Sequence, residues 1–336
     1  MPIDPLALAR QLIDIPSPTG EELAMANHIH DELARLGFTC SKQEAAPDRI
    51  NVLARAGGHP RVVLNTHLDT VPPWFASSKD DDFIYGRGAC DTKGILAAMV
   101  AAAERLRTDG INDFALLLVV GEETDSIGAK SANVAFKDLG SDYVLVGEPT
   151  ESKFARASKG AFTAFVRFDG VAAHSAYPHL GDSAINKMVA AIAEINTTDW
   201  GYDEILGKAT VNAGVVRGGV KPNIIAAEAE CQLMFRLVTT PEDVRARLTS
   251  IIEPHGGTIT WTHGNVPQYM VVPDGAESTI VSFNTDVPHL SALGKPLLFG
   301  PGSILDAHGV NERIGKRDLL NSVNTYYETV RKLLRD

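Results

Sequence analysis

Two uninterrupted apolar runs, "FALLLVV" at 114–120 and "YVLV" at 143–146, are each followed at once by glycine and acid, in "GEE" and "GEP". A strand with one face in water alternates apolar and polar residues, whereas a run this short and continuously apolar belongs to a strand covered on both faces. Such strands occur in parallel sheets, whose neighbours must be joined by helix-length crossovers. Helical patterns at about 92–107 and 127–138 supply them, between strand-like runs at 50–55, 61–66, 114–120 and 143–146. The sequence therefore predicts an α/β domain layered around a central, mostly parallel sheet.

At the N-terminus, Asp4 before Pro5 starts a helix to about Asp14. In "TGEE", Thr19 and Glu22 have the spacing of a capping box, and Gly37 ends the helix that follows. Near residue 155 the texture changes. "ARASKGAFTAFVRFDG" alternates like a half-exposed strand, 182–196 is an amphipathic helix, and strands follow at 209–217 and 224–237. A helix at 241–252 and a strand at 257–263 complete a β-α-β-β-α-β order, a ferredoxin-like unit. The expected division is a domain of 1–154 and 266–336, closed by a helix at 316–334, with 155–265 inserted as a second, α+β domain.

The ends of the buried strands carry polar residues. "RVVLNTHLDTVPP" places His67 and Asp69 two residues apart, so in a strand they project to one face. "YGRGACDTKG" puts Asp91 just before a helix, "VVGEETD" adds Glu122 and Glu123, and "VLVGEPT" adds Glu148. "GPGSILDAHGVNE" offers His308 in a loop. In an open α/β sheet, the loops at the carboxyl ends of the strands converge on one crevice. Carboxylates gathered there repel one another, and without a cation several would stay protonated. Imidazoles and carboxylates with no thiolate cluster suit zinc, with cobalt or manganese as substitutes. On that reading His67 is a ligand and Asp69 the group that orients it. Taken singly, each residue is more often an ordinary surface acid, a cap or a loop histidine than a ligand. The argument rests on their common position at the ends of one sheet.

Other chemistries lack their signatures. There is no G-x-x-x-x-G-K-S/T loop, no G-x-G-x-x-G after a strand, no H-E-x-x-H and no G-x-S-x-G elbow. A formal charge of -11 argues against a nucleic-acid or anionic-membrane partner. Cys40, Cys90 and Cys231 are odd in number and widely spaced, which predicts a reduced, cytoplasmic chain. No signal peptide or spanning-length apolar segment is visible.

"HLDTVP", "GRGACDTKG", "GEE" and "GEPT", in this order, resemble the co-catalytic di-zinc amidohydrolases that include acetylornithine deacetylase, succinyl-diaminopimelate desuccinylase, aminoacylase and glutamate-type carboxypeptidases. The resemblance covers essentially the whole chain. It implies that Asp91 bridges two zinc ions, His67 and Glu148 completing one site and Glu123 and His308 the other. It further implies that Glu122 is the general base, that Asp69 orients His67, and that a cis peptide follows Asp91. In the inserted domain, "GVAAHSAYPHLGDSAI" implies that His174 reaches across a homodimer to polarise the substrate carbonyl. Asn223 in "KPNIIAAEAE", Arg236 in "LMFRL" and Gly302 in "GPGS" match substrate-binding positions.

Within the family, Glu148 and "FGPGSILDAH" are most similar to acetylornithine deacetylase, although Asn284 replaces the usual cysteine and Asp286 a glutamate. The expected reaction is hydrolysis of an N-acyl amino acid, N-acetylornithine first. Acetylcitrulline, acetyl-lysine, succinyl-diaminopimelate and dipeptides are the alternatives. A non-catalytic binding protein on the same scaffold is the reading of a different class, and it sits poorly with a filled set of ligand and base positions.

Overall fold

A computed structural model describes residues 2–262 and 264–335. It divides into two compact units, one of residues 1–156, 269–279 and 285–336, the other of 157–268 and 280–284. The second unit thus also takes in the short segment 280–284.

In the first unit six strands form one sheet in the order 39–46, 49–55, 114–119, 62–67, 143–146, 295–298. Val62–His67 is central and pairs in parallel with Phe114–Val119 on one side and Tyr143–Val146 on the other. Lys295–Leu298 extends the parallel part, and the Thr39–Ala46/Arg49–Arg55 hairpin adds two antiparallel strands. Every residue of Val62–His67 and of Phe114–Val119 is buried, which is why those sequences show no polar alternation.

Helices Pro5–Ile13, Lys93–Thr108 and Lys316–Leu333 pack on one another. Lys93–Thr108 is buried continuously from Lys93 to Ala103, so its small residues "AAMVAAA" allow close approach on several sides. Leu23–Arg35 and Ile127–Ala135 pack on the antiparallel hairpin. The expected capping box does not form: Glu22 is the N-cap without a side-chain cap bond, and its carboxylate pairs with Arg49 at 2.6 Å. Thr19 turns elsewhere, as described below.

The second unit is a four-stranded antiparallel sheet in the order 210–218, 228–237, 160–169, 257–261, with helices Ala184–Thr197 and Pro241–Ile252 packed on it. Numbered along the unit this is the 4-1-3-2 order of a ferredoxin-like fold. The last expected strand residue, His263, lies outside the described residues. In Glu228–Leu237 alternate side chains from Ala229 to Leu237 are buried, the signature of a sheet with one covered face. Among the described residues, no helix is long and apolar enough to cross a membrane.

Candidate metal centre

The sheet order explains how distant residues meet. His67 ends the central strand, and the strands on either side deliver Glu122–Glu123 and Glu148 at the same edge. Asp91 lies just before the helix that begins at Lys93. The Asp91–Thr92 peptide is cis, as the resemblance implied. His308 comes from a loop and has a positive φ of 62°.

The two oxygens of Asp91 face different imidazoles: Oδ1 lies 2.9 Å from His67 Nε2, and Oδ2 lies 3.2 Å from His308 Nε2. His308 Nε2 is also 3.1 Å from the Glu123 carboxylate. Ligand atoms of His67, Glu122 and Glu148 fall within 4.8 Å of one another, as do those of His67, Asp91 and Glu123. A carboxylate facing one imidazole with each oxygen, flanked by further carboxylates, has the donor set for a pair of cations. His67 Nδ1–H donates to the Asp69 carbonyl at 2.9 Å, which turns the Nε2 lone pair toward the cluster.

The charges point the same way. Burial raises the Asp91 carboxyl, but hydrogen bonds from His308 and His67 outweigh it and hold the group well below the carboxylate range. Burial works against a charged His67, yet the hydrogen bonds and charges of Asp69 and Asp91 lift it well above the usual imidazole value. Hydrogen bonds to Asp91 and Glu123 raise His308 to about 10. Glu122 and Glu148 are pushed well above the carboxyl range, first by burial and then by neighbouring carboxylates, Glu148 acting on Glu122 and Asp91 on Glu148. Protons hold this cluster together in the absence of positive charge, and bound cations would replace them. The residues present fit a dinuclear metal site.

Asp69 does more than its spacing suggested. The contact to His67 Nδ1 is made by its backbone carbonyl, the carboxylate being 3.5 Å away. That carboxylate accepts the amide hydrogens of Gly121, Glu122 and Glu123 at 2.8, 3.2 and 3.2 Å, and the Thr19 hydroxyl at 2.9 Å. It therefore anchors the loop that carries Glu122 and Glu123. Thr19, read from sequence as a cap, belongs to this anchor. Asp286 is 1% exposed, and neither carboxylate oxygen has a hydrogen-bond partner among the described residues. Burial pushes it up to about 7.

Gly302 has a packing reason for being glycine. Its φ is +85°, and a Cβ would lie 2.7 Å from Cys90 Sγ, while its carbonyl accepts the Glu151 amide at 2.8 Å.

In the second unit, an isolated bridge pairs His174 with Ile224, and the Asn223 carbonyl accepts the Ser175 amide at 3.1 Å, so the backbone segments that carry His174 and Asn223 run beside each other. His174 is exposed, and its Nδ1 accepts the Ala176 amide at 3.1 Å. In the neutral ring the proton then sits on Nε2, which has no hydrogen-bond partner among the described residues. Arg236 sits in Glu228–Leu237 on the face opposite the buried side chains, half-buried and with no ion-pair partner among the described residues.

A family model described as peptidase family M20/M25/M40 matches residues 63–332. The chain belongs to that family. A peptidase M20 domain-containing protein of Schizosaccharomyces pombe is 35% identical over 98% of this M20 chain and 85% of its own length. A probable carboxypeptidase of Aspergillus flavus is 35% identical over 96% of this chain and 88% of its own. The crystal structure of a Staphylococcus aureus tripeptidase superposes with a TM-score of 0.83 at 23% identity, covering both chains fully. The α/β fold with its central, mostly parallel sheet is thus the fold of known M20 proteins. The similar sequences carry peptidase names, and none of these three is named an acetylornithine deacetylase.

Proposed function

We propose that this chain is a metal-dependent hydrolase of the amide bond between an acyl or aminoacyl group and an amino acid that keeps a free carboxylate. The observation that carries the proposal is Asp91, with one oxygen toward His67 and the other toward His308 amid buried carboxylates. His67, Asp91 and Glu148 would hold one ion, and Asp91, Glu123 and His308 the other. Zinc is the first choice, with cobalt or manganese able to substitute. Two such ions supply Lewis acidity, lowering the pKa of water and polarising an amide carbonyl.

The chain's own residues supply the rest. Glu122 takes a proton from the attacking water and returns it to the departing amine nitrogen, one carboxyl serving as base and then as acid. His174 Nε2–H is a donor suited to the developing oxyanion. Arg236, with no ion-pair partner among the described residues, suits a substrate carboxylate, which a guanidinium grips with two parallel hydrogen bonds. Asn223 and Gly302 complete the proposed substrate contacts.

N-acetylornithine is the first candidate, on the "GPGS" segment. Dipeptides and longer peptides cleaved at the carboxyl end follow, supported by the relatives named probable carboxypeptidases. We further propose a homodimer through the second unit. Its sheet ends on Thr210–Gly218, a strand edge with no partner on its outer side among the described residues and with Val216 53% exposed. The free thiols of Cys40, Cys90 and Cys231 support a cytoplasmic setting.

The test is amine release by zinc- or cobalt-loaded protein from N-acetylornithine, N-acetylcitrulline, N-acetyl-lysine, succinyl-diaminopimelate and a set of dipeptides. Hydrolysis of any member, lost on chelation and restored by metal, supports the reaction. Preference for acetylornithine would place the chain in arginine biosynthesis, and preference for dipeptides would make it a peptidase. Inactivity across the panel with two ions bound would refute the proposed substrate class.

A further inference from the structure

Arg87 and Glu312 form an ion pair buried in the first unit, their side chains 2% and 0% exposed, at 2.6 Å. They are 225 residues apart in sequence. The short strands Phe83–Tyr85 and Arg313–Gly315 bring them together, pairing antiparallel with Arg313 opposite Tyr85, and the Gly86 amide donates to the Glu312 carbonyl at 3.1 Å.

Taking two charges fully out of water loses their hydration, and their mutual attraction rarely more than offsets it. An apolar pair of similar volume is often as stable or more so. The stability of the fold therefore does not explain this pair. Its remaining contacts do. Glu312 Oε2 takes the guanidinium, and Oε1 accepts the amide hydrogens of Cys90 and Asp91, both at 3.2 Å. Arg87 Nη2 donates to the His308 carbonyl at 3.4 Å, and Nε donates to the Pro73 carbonyl at 3.1 Å. Each oxygen of Glu312 and each nitrogen of the guanidinium is used. One end of the pair holds the backbone of Asp91, the other the backbone of His308, and the third arm reaches the segment that follows His67 and Asp69.

We propose that Arg87 and Glu312 are positioning residues that set the spacing between Asp91 and His308, and so the affinity and ligand geometry of the ion held by Asp91, Glu123 and His308. This rests on the dinuclear reading of the site. Neither residue reaches the reacting atoms. They act through the backbone of two ligands, and such outer groups change metal affinity about 10- to 100-fold when altered.

The test compares wild type with Glu312→Gln, Arg87→Lys and the double variant Arg87→Met/Glu312→Leu. Each is stripped of metal, checked for folding by circular dichroism and melting, and titrated with zinc against a chromophoric chelator. The cobalt absorption spectrum then reports the ligand field of each site. Wild type should take up two ions. In Glu312→Gln and in the double variant the weaker ion should bind about 10- to 100-fold less tightly, with an altered cobalt spectrum and the tighter ion changed less. Arg87→Lys should lie between, because it keeps the charge but not the three-armed reach. The apolar pair leaves no lone buried charge and keeps the question answerable if Glu312→Gln does not fold. Two ions bound at wild-type affinity with an unchanged cobalt spectrum in a folded double variant would overturn the proposal and leave the metal site standing. A wild type that binds no metal would overturn both. Failure of all three variants to fold would make the pair a folding element and overturn it as well.

Discussion

Asp69→Asn removes one charge and one acceptor from the centre of the loop that carries Glu122 and Glu123, with almost no change in shape. In the native chain Oδ1 accepts the amides of Gly121 and Glu122, and Oδ2 accepts the amide of Glu123 and the Thr19 hydroxyl. The new NH2 group settles best at the Oδ2 position, where the Thr19 hydroxyl can reverse and accept from it. The Glu123 amide then faces a donor. Leaving that group without a partner costs about 1–3 kcal/mol, and the two bonds kept at the other oxygen lose ionic assistance of about 1 kcal/mol each. Asp69 is 1% exposed, so solvent screening does not reduce the sum, about 3–5 kcal/mol. Hydrogen exchange of a peptide spanning 119–126 in the metal-free protein should reveal it locally, as a loss of protection of about two to three and a half orders of magnitude. The pH dependence has a definite sign. Although burial raises the Asp69 carboxyl, the neighbouring His67 imidazole and the hydrogen bonds from Thr19 and the Glu123 amide hold it below the ordinary value. Its contribution is therefore complete above the unfolded pKa of about 4 and disappears as pH falls through the lower folded value. The gap between wild type and variant should be flat between about pH 5 and 6, narrow above that as His67, which the Asp69 carboxylate also raises, loses its proton, and close in acid. A loss under about 1 kcal/mol, or a gap that widens as pH falls below about 5, would refute this account of the loop.

Glu122→Gln should abolish turnover, by about a hundredfold or more, while zinc still binds; retained activity would remove Glu122 as the base. His174→Ala should lower kcat with little change in metal content, since His174 belongs to the second unit, and full activity would remove its carbonyl-polarising role. Arg236→Met should raise KM for substrates with a free carboxylate by about tenfold or more, yet leave a substrate amidated at that carboxyl unaffected. Metal loading should release protons near neutral pH and tighten as pH rises, because His308, raised to about 10, and His67, also raised, must deprotonate to become ligands. Calorimetry in buffers of different ionisation enthalpy would show this, and an affinity independent of pH would contradict it.

What could be read from the sequence follows from the range of the interactions. The buried strands were legible because a covered face excludes polar residues, and the acids at their ends were legible because a crossover fold gathers strand ends. The edge strand Thr39–Ala46 was not, since "TCSKQEAA" is largely exposed or half-exposed and is ordered by its register with Arg49–Arg55. Lys295–Leu298, short and containing a proline, was missed for want of any pattern of its own. Thr19 and Glu22 had the spacing of a local cap, but Asp69 and Arg49 compete for them and win. Arg87 stood inside "GRGACD" and Glu312 four residues after His308, both within the segments that carry the site. Nothing local joins them, because the pairing of two three-residue strands decides it.

These contacts make the proposed metal centre a product of backbone anchoring more than of contacts among the candidate ligands themselves. Asp69 holds the amides of residues 121–123, Glu312 holds the amides of Cys90 and Asp91, and Arg87 holds the carbonyl of His308. Thr92, through its hydroxyl, donates to the carbonyl of His67 at 3.1 Å. Each of these bonds is made to a main-chain group and needs no metal. A site built this way would keep the proposed ligands spaced without cations, protons supplying part of the positive charge among the carboxylates. Mutual repulsion would otherwise drive five acids apart and leave rebinding to bear the cost of ordering them. The anchors also separate two effects that a ligand substitution would confound. Altering His67 or Asp91 would change donor number and spacing together, whereas altering Asp69, Arg87 or Glu312 would leave the proposed donor number intact.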